Sequence, residues 1–279
     1  MTDVLVRTVG TSAVLTFNRP EEHNSIGGEL LGDLIDAVES ADDDPEIRAI
    51  VTTGAGASYC VGLDADTLTG WSGSMIDLGE IGTDEASGRT GLRVFPMEAR
   101  RVDHLGIGRW VTRFLEVGTP TIAAINGAAA GGGLGLAMLH DLRVMSRDAK
   151  LAPSFGLLGL GAEFGLSWLL PRLIGPSRAF RTMTRGTPIK AEEALDLGLV
   201  DAVVDSEDLL PAALELARPF AAVHDRSVRS MKRLLRQSWE STLLEQLERE
   251  WLSQRMLFTD PRTIDAMEAL RARLARHES

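Results

Sequence analysis

Two turns built on glycine are the parts of this chain best equipped for chemistry. They read SYCVGLD at Ser58–Asp64 and NGAAAGGGLGLA at Asn126–Ala137, and each follows a run of buried-strand character. Glycine lets a backbone come against a ligand with no Cβ in the way. The second turn also opens a helix, whose first N–H groups lack partners and point past its end. Facing each other, two such turns would aim two N–H donors at one oxygen, an oxyanion hole that needs no side chain. The competing reading is that the glycines only let strands and helices pack tightly. At this level both stand.

Other chemistries find little support. The dinucleotide pattern G-x-G-x-x-G is narrowly missed at Gly54-Ala55-Gly56, at Gly131 to Gly135 and at Gly159-Leu160-Gly161, with the third glycine misplaced each time. No Walker lysine follows a glycine cluster. The five histidines show no metal-ligand spacing. Ser154 and Ser167 lack the G-x-S-x-G elbow, and the lone Cys60 reads as a small buried residue rather than a nucleophile. No metal or separate cofactor is expected.

The elements that must position these turns come next. AVLTFNRP (Ala13 to Pro20), IRAIVTTG (Ile47 to Gly54), TIAAING (Thr121 to Gly127) and LRVMS (Leu142 to Ser146) read as buried strands. Gly28 to Ser40 carries Leu30, Leu31, Leu34, Ile35 and Val38 at helical spacing, and Asp42-Asp43-Asp44-Pro45 stops it. Gly133 to His140 reads as a second helix. Strand, glycine turn and helix recur along the first 200 residues, which predicts an α/β fold with right-handed crossovers. Leu63 to Thr119 is irregular until a helix at about Val102 to Val117, and a stretch of that length suggests a lid or a mobile insertion. Ala191 onward is mostly helical: a short helix stopped by Gly198, a strand at VDAVV, then helices at Leu209 to Phe220, Val228 to Met256 and Pro261 to Arg276. The last two are amphipathic and suit a neighbouring subunit or the chain's own core.

The 279 residues carry 40 acidic and 29 basic side chains, a net charge of −11. That balance disfavours nucleic acid, which needs a basic face, and an anionic membrane surface. The most apolar stretch, Ile122 to Leu139, holds Asn126 and five glycines and makes poor membrane-helix material. With 44% apolar residues, one cysteine and no cationic segment leading into an apolar run at the N-terminus, a cytoplasmic globular protein is expected.

In order and spacing, LTFNRPEEHNS, IRAIVTTGAGASYCVGLDAD, PTIAAINGAAAGGGLGLAMLHDLRV, LLPRLIG, AEEALDLGLVDAVV and LFTDP resemble the crotonase superfamily, the enoyl-CoA hydratase/isomerase family, over essentially the whole chain. The resemblance implies a spiral of repeated ββα turns in residues 1–200 and a helical oligomerisation region in 201–279. It further implies homotrimers or dimers of trimers and an acyl-CoA thioester, itself the only carrier of CoA, as substrate. Residue by residue, it implies that the N–H groups of Leu63 and Gly132 hold the thioester carbonyl. Val61, Gly62, Asp64 and Gly131 would frame those donors, with Leu63 replacing the commoner alanine. Glu22 and His23 match the stretch that runs along CoA, and Phe258 and Arg273 match a C-terminal region that reaches it.

The carboxylates are where the chain departs from the best-known hydratases. Their two glutamate positions hold Gly135 and Phe155 here. Adding water uses both carboxylates, and neither replacement can move a proton. Glutamates reinstated at residues 135 and 155 are expected to raise hydration. Glu163, in GAEFGLSWLLPRLIG, matches the place where several family isomerases carry an acid. Leu160, Phe164 and Trp168 are expected to desolvate it and favour its neutral form. Asp64 and Asp66 are lesser candidates. Three readings follow from the resemblance: an enoyl-CoA isomerase using Glu163; hydration or another acyl-CoA reaction through other residues; and an acyl-CoA binding protein without turnover.

Overall fold

The apolar runs of the strands are taken up by two cores on opposite faces of one sheet. In this computed structural model, residues 2–63 and 107–275 are described. Strand β1 (Val4–Val9) turns at Gly10 into antiparallel β2 (Ser12–Phe17). Strand β2 then pairs in parallel with β3 (Ala49–Gly54), and β5 (Thr121–Ile125) and β7 (Leu142–Ser146) continue the sheet. Ala202–Val204 closes it beside β7. Ala13, Leu15, Phe17, Ile50, Ala123 and Ile125 face the main core. Val14, Ala49, Val51, Ile122, Ala124 and Val144 face the helix Leu209–Ala222, which offers the small Ala213 and Ala217. Covering both faces is why these strands read as nearly continuous apolar runs.

After β3, β5 and β7 the chain makes a tight turn and lays a three-residue strand into a second sheet: β4 (Ser58–Cys60), β6 (Ala128–Ala130) and β8 (Lys150–Ala152). Strand β4 pairs in parallel with β6, and β6 with β8. This is the expected α/β spiral, and it stacks the turns that leave β4, β6 and β8 along one edge, at the carboxyl ends of parallel strands. Asparagines lock the rungs. Asn24 Nδ2 donates to Ser58 O at 2.7 Å, and Asn126 Oδ1 accepts from Gly54 N–H at 2.9 Å.

Helix Leu30–Asp43 buries Leu30, Leu34, Ile35 and Val38, as its spacing predicts. The helix expected at Val102 to Val117 is Ile107–Glu116 among the described residues. The single helix expected from Val228 to Met256 is two, Asp225–Gln237 and Leu243–Leu257. Thr242 and Glu245 form a reciprocal capping box that starts the second, a local signal that outweighs the continuous amphipathic pattern. Helix Asp225–Gln237 docks through ions: Arg229 reaches Asp42 at 2.7 Å, and Lys232 and Arg236 reach Asp141 at 2.6 and 2.8 Å. Burial alone would raise the Asp141 carboxyl, but the two cations outweigh it and hold it at about 2. Among the described residues, no helix is long and apolar enough to cross a membrane.

Candidate active site

The first turn leaves β4 through Val61, Gly62 and Leu63. Gly62 sits at φ +85°, where L side chains are strained, and its carbonyl accepts from Ile26 N–H at 2.7 Å. A Cβ on Gly62 would stand 2.7 Å from Ala130 O and 3.0 Å from Gly132 N. The first turn therefore lies directly against the second. Cys60 is fully buried and its thiol is pushed up to about 12 by that burial, so it supplies no nucleophile.

The second turn separates the roles of its three glycines. Gly131 N–H donates to Ala152 O at 2.9 Å, so it is already used in the spiral. Gly132 opens the helix Gly132–Met138, and a first helical residue has no intrahelical acceptor for its N–H. A Cβ on Gly133 would meet Cys60 O at 1.9 Å, which makes Gly133 a packing glycine. Tight packing thus explains Gly133, whereas the Gly132 N–H has no hydrogen-bond partner among the described residues.

The loop after β8 brings Glu163 to the same place. A Cβ on Gly132 would stand 3.0 Å from Glu163 Oε1, 2.9 Å from Phe164 Cε2 and 3.0 Å from Ile26 Cδ1. The acid is partly buried, and among the described residues its carboxylate has no hydrogen bond or ion pair. Burial is the cause that raises its pKa. The apolar neighbours differ from those expected. Phe164 is buried beside the acid, but Leu160 is 50% exposed, and Trp168 packs edge-on against Trp239 with centroids 4.8 Å apart. Ile26 and Phe164 instead crowd the same Gly132 position that the carboxylate reaches.

Gly135 is not a vacated place waiting for a glutamate. A Cβ there would stand 2.3 Å from Phe164 Cβ, so a side chain at residue 135 collides with Phe164. The expectation that a glutamate reinstated at residue 135 would raise hydration is corrected by that contact. Phe155 is 5% exposed, begins the helix Phe155–Leu158, and lines an apolar groove with Leu160, Ala162, Leu166 and Met183.

The remaining sequence candidates are spread over the molecule. Glu22 and His23 are exposed at the short 3-10 turn Pro20–Glu22, where Glu22 pairs with Arg19 at 3.3 Å. His23 Nδ1 is 3.4 Å from Ser58 Oγ, which places it at the start of β4. Phe258 is 44% exposed and ends the helix Leu243–Leu257, which packs on Asp225–Gln237; Arg273 is exposed on the last helix. Asp64, Asp66 and the segment Leu68 to Arg101 lie outside the described residues. Sequence reasoning missed Ile26, and gave Phe164 only a desolvating role. Ile26 follows the Asn24 that ties this bend to β4, and that asparagine is the signal that could have found it.

The structure is a two-sheet spiral with glycine turns stacked on one edge and a partly buried acid beside them. The family model for enoyl-CoA hydratase/isomerase matches residues 7–75 and 106–271, and the chain belongs to that family. It is 33% identical over 263 residues, 94% of this chain and 91% of the relative, to 1,2-epoxyphenylacetyl-CoA isomerase of Escherichia coli K12. It is 34% identical over 223 residues to crotonyl-CoA hydratase of Syntrophomonas wolfei, covering 79% of this chain and 76% of that one. The crystal structure of an enoyl-CoA hydratase from Polaromonas sp. JS666 superposes with a TM-score of 0.80 at 28% identity, covering 97% of each chain.

Proposed function

We propose that this enzyme binds an acyl-CoA thioester and shifts a carbon–carbon double bond in its acyl chain, with Glu163 as the single acid/base. The N–H groups of Leu63 and Gly132 hold the thioester oxygen. On a 3-enoyl thioester, the Glu163 carboxylate takes a proton from C2, and the electron pair spreads into the thioester oxygen as a dienolate. The two N–H donors stabilise that charge without reorganisation. The carboxyl then returns the same proton to C4, leaving the double bond between C2 and C3.

The observation that carries this reading is Glu163 Oε1 standing 3.0 Å from a Cβ position on Gly132, with Phe164 occupying the space beside Gly135. One carboxylate suffices to move one proton between two carbons. Adding water uses two. The relatives include an isomerase and a hydratase by name, so likeness alone does not choose between them. The acyl-CoA is cradled in an oligomer, a trimer or a dimer of trimers. Leu243, Leu244, Leu247, Trp251 and Met256, all more than half exposed on one chain, supply the apolar surface for it.

Glu163→Gln tests the assignment, because it keeps shape and removes proton transfer. Isomerisation of cis-3-enoyl-CoA should fall by about 10²–10⁴-fold with CoA affinity little changed. Burial raises this carboxyl, so the folded protein holds its proton more tightly than the unfolded chain does. The ionised acid therefore costs stability once pH rises through its folded pKa, and at neutral pH the glutamine variant should melt no lower than wild type. The wild-type rate should fall as pH drops through the same raised pKa, at a pH above the ordinary glutamate value of about 4.3. Wild-type isomerisation by the variant overturns the assignment. Tight acyl-CoA binding by the wild type without turnover of enoyl substrates would establish a binding protein instead.

A further inference from the structure

Phe164 combines three features that its neighbours do not share. It has φ +51°, a backbone conformation that bulky residues avoid and that here precedes Gly165 at φ +73°. Two left-handed residues in succession reverse the chain, so the side chains of Glu163 and Phe164 converge. Both reach Gly132, at 3.0 and 2.9 Å from its Cβ position. In an extended strand, consecutive side chains would point to opposite faces. Held strain of this kind clusters where a site needs a particular geometry.

The second feature is what Phe164 displaces. Its Cβ and Cγ lie 2.3 and 3.2 Å from a Cβ position on Gly135, the point from which any side chain at residue 135 would start. The third is how firmly it is held. Phe164 is 2% exposed and meets Trp110 edge-on with centroids 6.1 Å apart. Trp110 in turn donates from Nε1 to Leu31 O at 2.7 Å and stacks on Phe114 at 5.4 Å. A ring wedged in such a row does not swing aside to admit a water.

We infer that Phe164 is the specificity-determining residue of this site: its ring fills with hydrocarbon the space beside Glu163 that a second carboxylate and an attacking water would need. The inference rests on the proposed isomerisation. Its consequence is that no water stands on the Phe164 side of Glu163, which slows exchange of its proton during the life of the dienolate. The hydrogen removed from C2 returns to C4 of the same molecule, and no 3-hydroxyacyl product forms.

The test runs the reaction in D₂O with undeuterated cis-3-enoyl-CoA and reads two quantities, deuterium in the product and the ratio of hydrated to isomerised product. Wild type should retain most of its hydrogen and hydrate nothing measurable. Phe164→Ala should raise deuterium incorporation several-fold while still isomerising. Phe164→Leu, which refills part of the space, should fall between them, and it stands in should the alanine variant melt near assay temperature. Phe164→Gly combined with Gly135→Glu should hydrate, because glycine suits the left-handed backbone and clears the space for the new acid. A structural role alone would lower rate and melting temperature and leave both ratios unmoved. Folded Phe164 variants with wild-type incorporation and no hydration overturn the inference while the Glu163 assignment stands. Unimpaired isomerisation by Glu163→Gln would remove both.

Discussion

Gly132→Ala asks whether Glu163 stands where the geometry puts it, without removing either proposed N–H donor. The alanine keeps its backbone N–H, and residue 132 does not have the positive φ that would strain it. Its methyl would arrive 2.9 Å from Phe164 Cε2 and 3.0 Å from both Glu163 Oε1 and Ile26 Cδ1. Ordinary contacts need about 3.5–4.0 Å, so these three atoms must retreat by roughly 0.5–1 Å. Phe164 and Ile26 are buried and have little room, which leaves the carboxylate as the group that gives most. A misplacement of about 1 Å at a reacting group costs on the order of 10²-fold, so kcat should fall about 10–10²-fold, or roughly 1.4–2.8 kcal/mol of transition-state stabilisation. Overpacking should cost about 1–3 kcal/mol of stability, since the displaced neighbours belong to the core. The assay pairs initial rates on cis-3-enoyl-CoA with calorimetric affinity for an unreactive saturated acyl-CoA, which should stay within a few-fold. A wild-type kcat in a correctly folded alanine variant would refute the placement of the carboxylate.

Two further outcomes bear on the donors and on assembly. Leu63→Ala should leave turnover close to wild type, whereas Leu63→Pro deletes the N–H and should cost about 10²–10³-fold; equal rates in two variants with matching circular dichroism would remove Leu63 from the anion site. Light scattering at micromolar concentration should find an oligomer, and Leu247→Glu with Trp251→Glu, on surface 51% and 61% exposed in one chain, should dissociate it without unfolding; a monomeric wild type would refute the oligomer.

The long strands, the helix Leu30–Asp43 and the two glycine turns were legible in the residues, because each rests on local periodicity or on a backbone that only glycine accommodates. The strand at Leu142 to Ser146 agrees to the residue. Strands β4, β6 and β8 were not legible. Three residues carry no period, and what makes each a strand is pairing with a partner far along the chain. The break between Gln237 and Leu243 was present in the sequence as a Thr–Glu capping box, but the amphipathic pattern running through it was the louder signal.

The sequence by itself determined that Gly62 and the triple glycine at 131–133 would open their turns to close approach and that residues 135 and 155 would carry no acid, since both follow from residue type. Which glycine N–H the spiral consumes was decided by the fold, because β8 accepts the Gly131 donor at Ala152 O. The tertiary structure also turned an apparent vacancy at Gly135 into a filled one. Phe164 lies 29 residues further along the chain, and only the left-handed reversal at residues 164 and 165 carries its ring back over the helix that Gly135 belongs to. Residue type reports what a position can hold, whereas the space left to it depends on what a distant segment has already placed there.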